Sequence, residues 1–145
     1  MKFSEMIYAR PDMDELKQRI LALIEEQKAA NSGKEQLEIH KKWYELYSNY
    51  ETQYAIAHIR HDIDNTDEFY DKENDFFDEV TPIFVDLKNQ YYRVLFESEY
   101  RAELEKALGE VFFKNIELDL KSFDPSIMEL MQEENALSSR YTKLI

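Results

Sequence analysis

The sequence predicts an all-α fold, an elongated bundle of long antiparallel helices. Three observations carry that expectation. Two glycines and three prolines in 145 residues leave few breakers. Apolar residues recur at three-to-four spacing over long stretches, and cap-type residues stand where those stretches begin. The length suits one domain with a sizeable core. A 43% hydrophobic fraction with ten Tyr and nine Phe argues against disorder. No fixed-period repeat or low-complexity linker divides the chain, so residues 1–145 are expected to form a single helical unit.

The first helix should begin near Asp12, which follows Pro11 and precedes Glu15 at capping-box spacing. Leu16, Ile20, Leu23 and Ile24 then give it one apolar face. Asn31-Ser32-Gly33 breaks it, and Ser32 with Glu35 starts the next helix by the same device. The second helix should run from about Lys34 to Ile63, with Leu37, Trp43, Tyr44, Tyr47, Tyr50, Tyr54 and Ala57 as its stripe. Asp64-Asn65-Thr66 reads as a turn followed by a cap.

The third helix carries Phe69, Phe76, Val80, Phe84, Leu87, Tyr91 and Val94. Pro82 falls inside it, and because the repeat keeps its phase across the proline, a kink is expected rather than a break. Tyr100, Leu104 and Leu108 predict a short helix ending near Gly109. Phe112, Phe113, Ile116, Leu120 and Phe123 resume the period. Asp124-Pro125 then caps a last helix through Ile127, Leu130, Met131, Leu137, Tyr141 and Leu144. No stop signal follows Leu144-Ile145, which reads as an element truncated in mid-course.

Eighteen Lys and Arg against 31 Asp and Glu give a net charge of −13. Nucleic acid and anionic membrane are disfavoured partners, because both require basic surface. No apolar stretch reaches the length of a bilayer span. With no cysteine there is neither a disulfide framework nor a thiolate metal site. A cytoplasmic location is the default expectation.

Few patterns carry chemistry. His58 and His61 lie three apart on the second helix with Asp62 and Asp64 nearby, a combination that could ligate zinc or iron. Hydrogen bonding to neighbouring side chains is the stronger reading, since spacing alone is a weak metal signal. No histidine stands in an H-E-x-x-H motif, and none has Glu three positions before it, as a di-iron bundle requires. No G-x-S-x-G elbow occurs, and two glycines cannot build a phosphate cradle. The acidic run from Asp62 to Glu79 lacks EF-hand spacing and is expected to be a solvated, salt-bridged helix start. The tyrosines of the second helix suit helix packing better than a peptide groove. No catalytic, cofactor-binding or metal residue is therefore assigned.

The stretch from Ile59 to Glu79, with its Arg60-His61-Asp62 start and its Phe69-Tyr70 and Phe76-Phe77 pairs, resembles the amino-terminal helical region of oligoendopeptidase F-type enzymes, in the thimet-oligopeptidase family of zinc metallopeptidases. Met1-Lys2-Phe3-Ser4 leading to Tyr8-Ala9-Arg10-Pro11-Asp12 is similar to the same region. So is Gln132-Glu133-Glu134-Asn135 with Leu137-Ser138-Ser139 and Tyr141, so the likeness spans the chain. The resemblance implies a mostly helical enzyme several times longer, with a deep channel admitting short peptides. It also implies zinc on an H-E-x-x-H helix with a later Glu ligand, all in a missing catalytic domain. This chain would then be part of the wall framing the channel, silent by itself. The rival expectation is a free-standing acidic helical interaction module without enzymatic activity. Either could form homo-oligomers through exposed apolar faces.

Overall fold

The computed structural model describes residues 5–122 and 135–136. Five helices follow one another: α1 (Met13–Ala29), α2 (Gly33–Ile63), α3 (Glu68–Phe96), α4 (Arg101–Leu108) and α5 (Glu110–Ser122). No strand occurs among the described residues, so the all-α expectation holds. Most of the expected last helix, from Asp124-Pro125 to Leu144, lies outside the described residues.

The first three helices start on side-chain caps. Asp12 accepts from the Glu15 amide at 3.1 Å, and Ser32 Oγ accepts from the Glu35 amide at 3.1 Å. Each cap satisfies a donor that the first helical turn leaves without a partner. Glu35 also reaches back, to the Asn31 amide at 3.0 Å. The α2–α3 turn differs from expectation. Thr66 donates its amide and its hydroxyl to Asp64 Oδ1 at 3.0 and 2.6 Å, which closes the turn. The cap proper is the next acid, Asp67, which accepts from the Phe69 and Tyr70 amides at 2.9 and 3.2 Å. Gly109 ends α4 with φ of +98°, a conformation that glycine adopts without a Cβ clash.

Ring pairs fix the packing. Trp43 stacks on Tyr91 at 4.4 Å, Tyr50 on Phe84 at 3.9 Å, and Tyr54 meets Phe77 edge-on at 5.4 Å. Rising numbers in α2 meet falling numbers in α3, so the two helices are antiparallel. Leu16, Ile20, Leu23 and Ile24 of α1 are buried in the same core, as their spacing predicts.

The stripe on α2 is partly redrawn. Tyr44 is 63% exposed, whereas Ile39 and Ile56 are buried. Periodicity over a 31-residue helix admits several neighbouring stripes, and contact with α1 and α3 selects the one through Gln36, Trp43, Tyr50 and Ala57. Tyrosine serves packing here: Tyr50 and Tyr91 are fully buried, and desolvation pushes both phenols well above their ordinary range. Pro82 sits within one continuous α3, so the helix is not broken there.

Candidate functional site

The segment before α1 is strapped across α2 and α3. Its anchor is Glu73, a buried carboxylate on α3. Tyr8 donates its hydroxyl to Glu73 Oε1 at 2.7 Å, and Arg10 Nε donates to the same oxygen at 2.9 Å. A second guanidinium nitrogen of Arg10 bonds Glu73 Oε2, making the pair bidentate. The Arg10 guanidinium also lies 4.4 Å over the Phe76 ring.

Hydrogen bonding to Arg10 holds the Glu73 carboxyl below its ordinary pKa. Burial, then the Glu73 hydrogen bond, pushes the Tyr8 phenol up. Arg60 continues the clasp from α2, donating to the Tyr70 hydroxyl and the Met6 carbonyl, each at 2.6 Å. The Ala9 amide donates to Gln53 Oε1 at 2.9 Å.

The acidic run was expected to be a solvated, salt-bridged helix start; Glu73 is salt-bridged, to Arg10, but buried rather than solvated. The signal was present in the sequence: Glu73 falls in phase with Phe77, Val80 and Phe84. An acid on a core stripe requires a cationic partner, and Arg10 provides it from a distant part of the chain.

The opposite end of α3 holds a neutral network. Gln27 Nε2 donates to the Gln36 carbonyl at 3.0 Å and to the Tyr91 hydroxyl at 3.1 Å. Gln36 Nε2 returns a bond to the Gln27 carbonyl at 3.2 Å, and Gln36 Oε1 accepts from the Ser98 hydroxyl at 2.6 Å. Tyr91 meets His40 Nδ1 at 2.8 Å. Desolvation lowers the His40 pKa to about 4, so the ring is neutral at pH 7 and its Nδ1 accepts the phenol proton.

The two histidines singled out in the sequence part company. His61 is 1% exposed and faces Asp71 at 3.3 Å. His58 is half-exposed, faces Asp62 at 3.3 Å and stacks on Tyr54 at 5.7 Å. Both bond neighbouring carboxylates, the stronger of the two readings. Among the described residues no group of three or more His, Cys, Asp or Glu side chains gathers as a metal site. The donor set here does not fit a zinc ion. No described helix is long and apolar enough to cross a membrane.

What the two clusters can do chemically is hold elements together. Glu73 is neutralised by Arg10 and enclosed, and no nucleophile–base pair accompanies it among the contacts above. The fold and these anchors define an all-helical unit tied together by its own side chains among the described residues. The model of the Peptidase M3 N-terminal domain family matches residues 3–123, and the chain belongs to that family.

Solved structures agree. PZ peptidase A with an inhibitor is 42% identical with a TM-score of 0.94, over 97% of this chain and 25% of that one. A protein assigned as oligoendopeptidase F is 45% identical with a TM-score of 0.94, over 97% and 25%. Another so assigned, from Bacillus anthracis str. Ames, is 35% identical with a TM-score of 0.95, over 97% and 26%. The chain thus spans about a quarter of the length of the structures it matches. No curated protein matches it.

Proposed function

We propose that this chain serves as the amino-terminal helical domain of an oligoendopeptidase, helping to frame the channel through which short peptides reach a catalytic centre. One observation carries the reading: near-complete coverage of this chain at 42–45% identity, against a quarter of each peptidase chain. In the whole enzyme zinc and the residues that hold it would lie in the remaining three-quarters, which would be this unit's principal partner. The absence of cysteine agrees with a reducing, cytoplasmic setting. The comparisons favour this reading over a free-standing interaction module.

The test is the reading frame beyond the codon for Ile145. An open frame encoding H-E-x-x-H and a later Glu is expected. A stop codon at that point, with no such motif in a neighbouring frame, would sink the proposal.

A further inference from the structure

Large apolar side chains are exposed singly on most proteins, and such exposure says little. Among the described residues Leu21, Tyr44, Val111 and Leu118 are of this kind, spread over α1, α2 and α5. Ile7, Ile59, Ile63 and Phe69 differ, because they share the end of the bundle where the strap meets the α2–α3 turn. Ile59 and Ile63 lie one turn apart on the last stretch of α2, with Arg60 between them. Arg60 holds the Met6 carbonyl, next to Ile7, and the Tyr8 ring on its other side meets Phe69 edge-on at 6.2 Å. Ile7 is 86%, Ile63 75% and Phe69 56% exposed.

Ile7 carries most of the argument. The carbonyl before it is bound by Arg60, the Tyr8 hydroxyl after it by Glu73, and the Ala9 amide by Gln53. While those bonds last, the strap cannot turn to bury the isoleucine. Side chains of α2 and α3 thus fix an apolar residue in water. A clasp that only fastened the strap would serve as well with a polar residue at that position.

The rim of this end is acidic. Asp62, Asp64, Asp67 and Glu68 are interleaved with its apolar residues. Arg60, the one Lys or Arg from Ile59 to Phe69, is turned to Tyr70 and Met6. A second copy would bring the same acids and a net charge of −13, and like charges facing each other cost affinity. The surface that fits is apolar at its centre and carries Lys or Arg at its edge. Each peptidase that this chain matches has about three-quarters of its length outside the matched part.

We propose that Ile7, Ile63 and Phe69 form a seat for the rest of an oligoendopeptidase chain, which meets them with a basic-rimmed apolar surface. The clasp on the strap serves to hold Ile7 in that seat. This rests on the peptidase reading above and adds to it the face by which the unit is held.

Backbone hydrogen exchange tests it, comparing the whole enzyme, expressed from the gene that encodes this chain, with the isolated 145-residue chain. The amides of residues 62–69 should exchange about tenfold more slowly in the whole enzyme. Ile63→Asp combined with Phe69→Asp should remove that difference. Asn65→Asp, which adds a charge at the exposed turn and removes no apolar surface, should keep it. Equal exchange in the two forms would overturn the proposal and leave the peptidase reading standing. A gene with no peptidase remainder would overturn both. In the isolated chain the paired variant should change the folding constant no more than about twofold, as expected at exposed positions. A larger loss would mean that the chain covers this face itself, which also overturns the proposal. Sedimentation should find the isolated chain monomeric. A dimer that the paired variant dissociates would put a second copy on the seat and refute the assignment.

Discussion

Near the α2–α3 turn, Glu73 is buried with its full charge, chelated by Arg10 and capped by the Tyr8 hydroxyl. Toward the other end of the same helix, Tyr91 is buried among Gln27, Gln36 and a neutral His40, with no charge in the network. The two regions solve one problem by different means. A half-exposed strap can bring a guanidinium, whose remaining donors stay in water. Between three closely packed helices a charge would be stranded, so amides and a phenol are used instead. The difference should appear as different responses to acid and to truncation.

The most damaging single change should be Trp43→Ala. It removes the ring that stacks on Tyr91 beside the neutral network and leaves a large cavity, for a loss of about 4 kcal/mol. Because Trp43 is the only tryptophan, unfolding must be followed by circular dichroism.

Acid separates the two regions. The His40 pKa is lowered from 6.5 to about 4 in the folded chain, so the unfolded chain takes up its proton first as pH falls. The stability that a neutral His40 permits is complete above pH 6.5 and is lost between there and about pH 4, by roughly 3 kcal/mol. Replacement by Gln should flatten that limb of the stability profile; an unchanged limb would assign it to other groups. Glu73 titrates in the same direction but in a lower window. Its folded pKa lies below the ordinary 4.5, so its contribution is present above 4.5 and fades only as pH falls through the depressed value.

Glu73→Gln should weaken the strap at neutral pH by about 2 kcal/mol. That is less than for a fully enclosed pair, because Arg10 is half exposed and partly screened. Hydrogen exchange should show residues 6–10 opening while the Gln27–Tyr91 network stays protected. Loss of protection at both ends together would merge the two regions into one. The smallest effect expected is from Asp67→Ala, about 1 kcal/mol for a helix cap, measured as a urea midpoint shift.

The helices were legible in the sequence because each boundary is a local matter. Asp12, Ser32 and Gly109 act within a few residues of themselves, so their types reveal their roles. The reading of Asp64-Asn65-Thr66 as turn plus cap stops one residue short of the cap, because Thr66 and Asp67 are both cap-type residues and the Thr66 hydroxyl is taken by Asp64. The anchors were hidden for another reason. Glu73 meets Arg10 across 63 residues, and Gln27 meets Tyr91 across 64. Phase with the apolar stripes is a signal for Glu73 and Gln27 that the reading of the acidic run as solvated passed over, and only the packed helices show which partners they take. The resemblance of Ile59 to Glu79 and of Tyr8-Ala9-Arg10-Pro11-Asp12 to one enzyme family acquires a physical content here. Those residues form the strap, its anchor and the cap of α1.

Under the proposed function the chain contributes to the wall of the channel, and the zinc-binding and hydrolytic residues would lie in the rest of the enzyme. Purified full-length chain, incubated with zinc, dialysed and then given short fluorogenic peptides, tests it directly. Substoichiometric zinc after dialysis and no peptide cleavage above the buffer rate are expected. One equivalent of tightly held zinc with peptide hydrolysis would contradict it.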